Sequence, residues 1–268
     1  MSKKTAFALA AHPDDIEFQM AGTLILLKQA GYEIHYMNLA NGCFGSKKHS
    51  KEEIIAIRAK EAKEAADSIG AIFHPSMADD LHIFYNEDLL SKLAALMRQV
   101  SPEILLLQSP QDYMEDHQNT ARLGATAAFS MGMPNFPTNP AVRHVEQEVA
   151  IYHAQPHGNR DVLNHVIQPD IIVDITSVIE QKAEMLSFHK SQKEWLDESQ
   201  DIDEMTQTMK DLGREVAKMS GSYSFAEGWR QRLHYGYSDA TFNPLVEVLE
   251  AYVSPMKSED DEEFFFPR

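Results

Sequence analysis

The amino-acid sequence predicts an α/β fold with a mainly parallel β-sheet. Apolar, strand-like runs alternate with helical patterns through most of the 268 residues, which is typical of parallel strands joined by helices. In addition, the run EILLL at residues 103–107 lacks any alternation of apolar and polar side chains. Such a run is typical of a strand that is covered on both faces of a parallel sheet.

The predicted elements follow this pattern from the first strand onward. Strands are expected at residues 5–11, 34–39, 71–73, 103–107, 148–153 and 171–175. Helices are expected at residues 17–30, 52–69, 86–99, 116–129 and 177–192. Gly31 and Gly70 stand where helices commonly end. Residues 193–220 also have a helical pattern with a polar break at 196–204, and two more helices are expected at 225–233 and 243–252.

The length and composition fit one domain with a sizeable core. The chain is 43% hydrophobic, and it shows neither an internal repeat nor a convincing domain boundary. We therefore predict a single domain at residues 1–257, with a core at about 5–192 and a helical elaboration at about 193–257. Residues 258–268 place five acidic residues before three phenylalanines, and this composition predicts a flexible acidic tail.

Charge and cysteine content narrow the classes of partner. The net charge of −17 argues against nucleic acid or an anionic membrane surface as a partner. Cys43 is the one cysteine, so no intrachain disulfide can form, which fits a reducing compartment. The apolar run that follows Lys3 and Lys4 is too short for a signal peptide or a membrane span. We therefore predict a cytoplasmic location.

The first chemically informative segment is the turn His12-Pro13-Asp14-Asp15, which directly follows the first predicted strand. In an open parallel sheet, ligands bind at the carboxyl ends of the strands. His12 and Asp15 can turn toward one point, and an imidazole nitrogen with a carboxylate oxygen suits zinc or another first-row metal. Asp14, between them, can take the proton of a metal-activated water. The alternative is an acidic helix start beside an uninvolved histidine.

A second polar segment, QSPQDYMEDH at residues 108–117, follows the strand predicted at 103–107. A helix is expected next, with His117 in its first turn. This segment therefore repeats the arrangement of strand, polar turn and helix, again with histidine and aspartate at the carboxyl edge of the sheet. Two such turns can converge on one metal ion.

Both segments resemble motifs of the LmbE-like (PIG-L) family of zinc-dependent N-deacetylases, which cleave acetyl groups from N-acetylglucosamine-type compounds. AHPDDIEF resembles the first motif, and residues 114–117 resemble the second, usually His-Pro-Asp-His. The resemblance implies a three-layer Rossmann-like fold and a Zn²⁺ ion, or another divalent first-row metal, on His12, Asp15 and His117. It further implies that Asp14 is the general base.

Further parts of the chain extend this resemblance. IRAKEAKEAA resembles the family helix whose arginine contacts substrate, which implies that role for Arg58; the alternative is an Arg58–Glu61 pair. KAEMLSFHKSQ resembles the family's Lys…His-x-Ser-Gln segment, whose histidine stabilises the oxyanion or donates a proton. His189 is that histidine here, or else a helix-terminal histidine favoured by the helix dipole. Asp116 matches the family aspartate that can fix an imidazole or the base.

The chain departs from the family at Met114, where the usual histidine helps to orient the base or to stabilise charge. Methionine can do neither, so His189 is the best candidate for the general acid. His153 and His157 are rival metal ligands or ordinary loop histidines.

The resemblance implies a small-molecule acetylated amino sugar as substrate. It is also compatible with a homo-oligomer, because members of this family often form oligomers. Two alternatives stay open. The same metal site could hydrolyse another amide or an ester, or the chain could be a metal- or sugar-binding relative with impaired catalysis.

Overall fold

The computed structural model describes residues 4–192 and 202–255, which form one mixed sheet with helices on both faces. The strands are β1 (Thr5–Ala10), β2 (Glu33–Asn38), β3 (Ile72–His74), β4 (Ile104–Leu107), β5 (Ala150–Ala154), β6 (Ile171–Asp174), β7 (Ala226–Gln231) and β8 (Val253–Pro255). The helices are α1 (Asp15–Gln19), α2 (Ala21–Gln29), α3 (Lys51–Ser68), α4 (Glu87–Val100), α5 (Glu115–Phe129), α6 (Ile179–Ser187), α7 (Ile202–Ser220) and α8 (Pro244–Val248).

The eight strands lie in the order β3-β2-β1-β4-β5-β7-β6-β8. The first five of these are parallel to one another. Strand β7 is antiparallel to both β5 and β6, and β8 is antiparallel to β6. The chain runs outward from β1 to β2 and β3, and then returns to place β4 on the other side of β1. The predicted Rossmann-like α/β fold is therefore confirmed, and the point of reversal lies at the carboxyl ends of β1 and β4, where such sheets bind ligands.

Strand β1 shows why the sheet is apolar on both faces. Ala6, Ala8 and Ala10 belong to one buried hydrophobic cluster, whereas Phe7 and Leu9 belong to another. The first cluster includes residues of α2 and α6, and the second includes residues of α4 and α5. Because helices cover both faces, consecutive side chains of one strand are buried in opposite directions.

The structure corrects four predicted elements. The segment predicted as a helix at 225–233 contains strand β7, which pairs with β5 and β6 and buries Trp229 completely. The helix predicted at 17–30 is two helices, because the backbone breaks at Met20 with φ −134°. The helix predicted at 177–192 includes α6, which ends at Ser187 before His189. Of the last predicted helix, only the short α8 forms within 243–252, followed by a 3₁₀ turn and β8.

The predicted acidic tail lies outside the described residues, as do residues 193–201, which include part of the polar break. Within the described ranges, no helix combines the length and the apolar character that a membrane crossing requires. All eight strands join one sheet between residues 5 and 255, while the assignment of residues 1–257 to a single domain stays a prediction.

Candidate metal centre and active site

The turn between β1 and α1 positions His12, Asp14 and Asp15. One oxygen of Asp15, Oδ2, accepts a hydrogen bond from the backbone N–H of His12 at 2.7 Å and lies 3.4 Å from His12 Nδ1. Asp14 directly precedes α1 with φ 108° and ψ −24°. A residue with a side chain rarely adopts this backbone conformation, which costs about 1–3 kcal/mol and persists only where its surroundings impose it.

The turn between β4 and α5 brings His117 to the same point. His117 Nε2 lies 3.4 Å from Asp15 Oδ2. One donor atom each from His12, Asp15 and His117 therefore falls within 4.8 Å of the other two, and all three residues are buried. Two ligands bound at about 2.1 Å to a tetrahedral ion are separated by roughly 3.4 Å. The spacing and the donor set of two imidazoles and one carboxylate therefore fit a divalent first-row metal, with one coordination position left for water or substrate.

Each imidazole of this cluster is oriented by a further carboxylate. His12 Nε2 donates to Asp116 Oδ2 at 3.0 Å, and His117 Nδ1 donates to Asp112 Oδ1 at 3.0 Å. The opposite ring nitrogens therefore remain for a metal ion, which is the usual arrangement of histidine ligands. The family resemblance implied that Asp116 can fix either an imidazole or the general base, and in the structure it contacts the imidazole of His12. Asp112 was not predicted, although it lies in the same polar segment, five residues before His117.

Electrostatics favour positive charge at this cluster. Burial lowers the pKa of His12, but hydrogen bonds to Asp116 and Asp15 outweigh it and raise that pKa to about 10. Burial raises the pKa of Asp15, but the charges of His117 and His12 and the hydrogen bonds from His12 bring that pKa well below its usual range. The negative charge of the carboxylates that raises the pKa of His12 also attracts a divalent cation, whose binding would displace the proton from the imidazole.

Asp14 is buried beside the cluster and lines a cavity. Gln192, which precedes the undescribed segment, donates a hydrogen bond from Nε2 to Asp14 Oδ2. Burial is the largest cause of the raised pKa of Asp14, and the charge of Asp15 raises it further. The charges of Arg58 and His189 and the hydrogen bond from Gln192 act in the opposite direction. A carboxylate with a raised pKa accepts a proton more readily than an exposed one, which is what a general base requires.

Arg58 lines the same cavity from helix α3. Its Nη2 donates to the carbonyl of Pro13 at 3.0 Å, and its Nη1 donates to the carbonyl of Gly42 at 3.5 Å. Glu61, the alternative partner considered from the sequence, instead accepts from the backbone N–H and the hydroxyl of Ser191 at 2.9 and 2.6 Å. The arginine is therefore fixed by backbone carbonyls beside Asp14.

His189 lies behind the cavity wall rather than in it. Its Nε2 is 3.2 Å from Glu17 Oε2, and both side chains are completely buried. The same oxygen of Glu17 accepts a hydrogen bond from the hydroxyl of Tyr36 at 3.1 Å. Burial lowers the pKa of His189, but the charge and hydrogen bond of Glu17 and the charge of Asp14 raise it above the ordinary value. His189 therefore lies close enough to influence the pKa of Asp14 without facing the cavity.

The cavity has a volume of about 520 Å³. Polar side chains line its floor, and largely apolar side chains form its walls: Phe18, Phe44, Leu81, Tyr113, Met114 and Met205. Met114 thus lies at the site, where the family usually has histidine. Asp80 also lines the cavity and holds the loop after β2, because its carboxylate accepts from the N–H groups of Gly42 and Phe44.

The two rival histidines occupy different places. His157 lines the cavity, whereas His153 is buried and its Nδ1 donates to the carbonyl of Gln108 at 2.8 Å. Burial lowers the pKa of His153 to about 4. Neither residue joins a metal-binding group in the part of the chain that the structure describes.

The chain is similar in sequence and fold to several known proteins. Residues 7–128 match the PIG-L family model, described as GlcNAc-PI de-N-acetylase. Diacetylchitobiose deacetylase of Thermococcus kodakarensis is 26% identical over 235 residues, which are 85% of this chain and 82% of that protein. The crystal structure of N,N′-diacetylchitobiose deacetylase from Pyrococcus horikoshii has a TM-score of 0.73 at 22% identity, covering 91% of this chain and 89% of that one.

A relative with a different activity is also similar. 4-Oxalmesaconate hydratase of Pseudomonas putida is 28% identical over 188 residues, which are 67% of this chain and 70% of that protein. The sequence of this chain is therefore similar both to deacetylases and to a hydratase. The family match begins within the first strand and includes both turns that carry the candidate metal ligands, and the fold agrees with that of a deacetylase. On these findings, residues 7–128 are similar to the PIG-L family, and the chain has the same fold as a diacetylchitobiose deacetylase.

Proposed function

We propose that this protein is a metal-dependent hydrolase that removes the acetyl group from a small N-acetylglucosamine-type molecule. The observation that carries the proposal is the buried cluster of His12, Asp15 and His117 with Asp14 beside it on one cavity. The similarity to diacetylchitobiose deacetylase supports the same reaction class. A cavity of about 520 Å³ with apolar walls and polar groups at its floor is the usual form of a site for a small molecule.

In this proposal, His12, Asp15 and His117 would hold the metal ion, with zinc as the first candidate. When bound, the ion supplies Lewis-acid polarisation of the acetyl carbonyl and acidifies water. Asp14 takes the proton of the attacking water, which its raised pKa favours. Gln192 holds one carboxylate oxygen of Asp14, while the other can accept that proton.

Arg58 and His189 have different parts in this proposal. Arg58 lines the cavity, so its guanidinium can donate to a sugar hydroxyl while its charge moderates the pKa of Asp14. His189 is enclosed with Glu17, and we assign it an electrostatic and positioning effect on Asp14 rather than contact with the substrate. The sequence-based assignment of His189 as the general acid would require a direct approach to the substrate that this enclosed position does not offer.

A second candidate function follows from the similarity to 4-oxalmesaconate hydratase. The substrate named there is a polycarboxylate, which a site would recognise with several cationic side chains. Among the described residues that line the cavity, Arg58 is the one arginine or lysine, and two backbone carbonyls already accept its hydrogen bonds. Asp14, Asp15 and Asp80 also face the cavity. These charges favour a neutral acetylated sugar over a polycarboxylate.

Acetate release tests the proposal. The zinc-loaded protein is incubated with a panel of N-acetylglucosamine derivatives, with acetylated amines and esters that lack a sugar, and with the hydratase substrate. We expect chelator-sensitive acetate release from the sugar derivatives. Hydration of the polycarboxylate without acetate release would replace the proposal with the second candidate. Bound zinc without turnover of any compound would support a relative that binds but has impaired catalysis.

A further inference from the structure

Hydrolysis of an amide requires two proton transfers, one from the attacking water and one to the departing amine. Asp14 accounts for the first transfer in the proposed function. Met114 occupies the position of the family's usual histidine and carries no transferable proton. His189 is enclosed with Glu17 behind the cavity. The protonated Asp14 could return its proton to the amine, and a separate donor would have to be another group that lines the cavity.

We propose that His157 is this group and that it donates a proton to the departing amine nitrogen. Three histidines line the cavity among the described residues, namely His12, His117 and His157. The first two form the metal-binding cluster, so His157 is the imidazole that remains. Imidazole is the side chain most often used for proton transfer near neutral pH. This inference rests on the proposed function, because it concerns the same amide bond.

The backbone holds His157 at the carboxyl edge of the sheet. His157 follows β5 by three residues, and its backbone N–H donates to Asp112 Oδ2 at 3.1 Å. The other oxygen of that carboxylate accepts from His117 Nδ1. Asp112 is completely buried, so one rigid carboxylate fixes both a proposed metal ligand and the start of the turn that carries His157.

The turn itself has an unusual backbone that neighbouring elements stabilise. Gly158 and Asn159 have φ values of 75° and 56°, so two consecutive residues lie in the left-handed region. Asn159 is buried, and its Nδ2 donates to the carbonyl of Leu212 at 3.3 Å and to Glu215 Oε2 at 2.9 Å, both in α7. The turn is anchored in this way to α7, which fixes the backbone from which the side chain of His157 extends.

The imidazole of His157 is close to two aromatic rings of the cavity wall. Its centroid is 5.7 Å from that of Phe18 and 5.8 Å from that of Tyr113. The ring of Tyr113 is in turn 5.6 Å from that of His117. No side chain in the described ranges forms a hydrogen bond or an ion pair with the ring nitrogens of His157. These nitrogens are therefore available to a bound substrate.

The proposed step is balanced as follows. The water oxygen bonds to the acetyl carbon, and Asp14 takes one water proton. The bond between carbon and nitrogen breaks, its electron pair passes to nitrogen, and the His157 imidazolium gives that nitrogen a proton. The products are a free amine and acetic acid, which ionises to acetate. Asp14 then loses its proton to solvent, and His157 regains one from solvent.

The dependence of rate on the leaving group tests this role. His157→Gln and His157→Ala are compared with wild type on an N-acetylglucosamine derivative and on p-nitrophenyl acetate. The amine must be protonated as it departs, whereas p-nitrophenolate departs without a proton. We expect kcat on the amide to fall by about 10²–10⁴-fold, with unchanged KM and zinc content, while the rate on the ester is unchanged. His165→Ala, at an exposed histidine of the same loop, is the control and should match wild type on both compounds.

Each outcome decides between assignments. An equal loss on amide and ester, or an unchanged rate on the amide, would overturn proton donation by His157 while leaving the deacetylase proposal intact. A wild-type protein that binds zinc but hydrolyses no acetylated amine would overturn the proposed function and with it the role of His157. Thermal unfolding of each variant identifies any loss that arises from misfolding, in which case His157→Gln replaces His157→Ala as the deciding variant.

Discussion

The side-chain amide of Gln192 donates a hydrogen bond to the carboxylate of Asp14, across 178 positions of sequence. Two nearby residues of the same segment contact other acidic side chains. His189 pairs with Glu17, and Ser191 bonds to Glu61. The stretch from His189 to Gln192 therefore contacts helices α1 and α3. It also holds the carboxylate of Asp14, the proposed general base, by a hydrogen bond.

Replacing Gln192 with leucine should lower kcat without loss of the metal. The variant removes the hydrogen bond to Asp14, and a bond to a charged group contributes about 1.5–3 kcal/mol. We expect kcat for acetate release to fall by roughly ten- to a hundredfold, while zinc content stays the same. Gln192→Glu, which keeps the size but removes the donor, should behave like the leucine variant. Full activity in both would show that Asp14 needs no such support.

Asp112→Asn should weaken metal binding. Asp112 accepts the hydrogen bond that orients His117, and losing such a partner typically lowers metal affinity by about 10–100-fold. Competition with a chromogenic chelator measures the affinity for zinc in wild type and variant. Asp170→Asn removes a carboxylate outside this cluster and is the matched control. An Asp112→Asn affinity equal to that of wild type would contradict the assigned role.

Lys182→Met should destabilise the fold. Lys182 Nζ lies 2.6 Å from Glu227 Oε1 and donates to the carbonyl of Phe18, and both charged side chains are almost fully buried. Removing one partner leaves a buried charge, at a cost of roughly 3–5 kcal/mol. Urea unfolding measures this loss. Lys210→Met breaks an ion pair with the exposed Glu180 and should cost at most about 1 kcal/mol; equal losses in the two variants would refute the argument.

His153 should make the protein less stable in mild acid. Its folded-state pKa of about 4 lies below the ordinary value of about 6.5. As the pH falls from about 6.5 to 4, the unfolded chain therefore binds a proton that the folded chain does not. Stability decreases across this window by up to about 3 kcal/mol from this group, and the decrease ends below pH 4.

The variant His153→Asn isolates this contribution, because asparagine cannot titrate but can still donate to the carbonyl of Gln108. Urea unfolding at several pH values between 4 and 7.5 should give a shallower dependence for the variant than for wild type. Parallel curves would show that His153 takes up its proton equally in both states.

The proximity of the three candidate metal ligands could be predicted from the sequence. His12, Asp15 and His117 each lie within a few residues of a strand end, so local patterns and parallel topology were enough to predict their convergence. The contacts that depend on long-range packing could not be predicted in this way. The bond from Gln192 to Asp14 and the shared use of Asp112 by His117 and His157 arise only when distant segments fold together.

Strand β7 shows the same limit for the fold. Its sequence, AEGWRQ, has no strong strand pattern. Tertiary contacts therefore decide its conformation. Glu227 accepts from the N–H groups of Gly22 and Thr23 at the start of α2, and Trp229 donates to the hydroxyl of Thr23. Burial between β5 and β6 thus outweighs local preference.

Zinc content and acetate release in Asp14→Asn test the central claim most directly. Asparagine keeps the size of the side chain but cannot accept the proton of the attacking water. We predict that the variant binds zinc as wild type does and releases acetate from N-acetylglucosamine derivatives about 10²–10⁴-fold more slowly. Wild-type acetate release by a zinc-loaded Asp14→Asn protein would contradict the assignment of Asp14 as the general base.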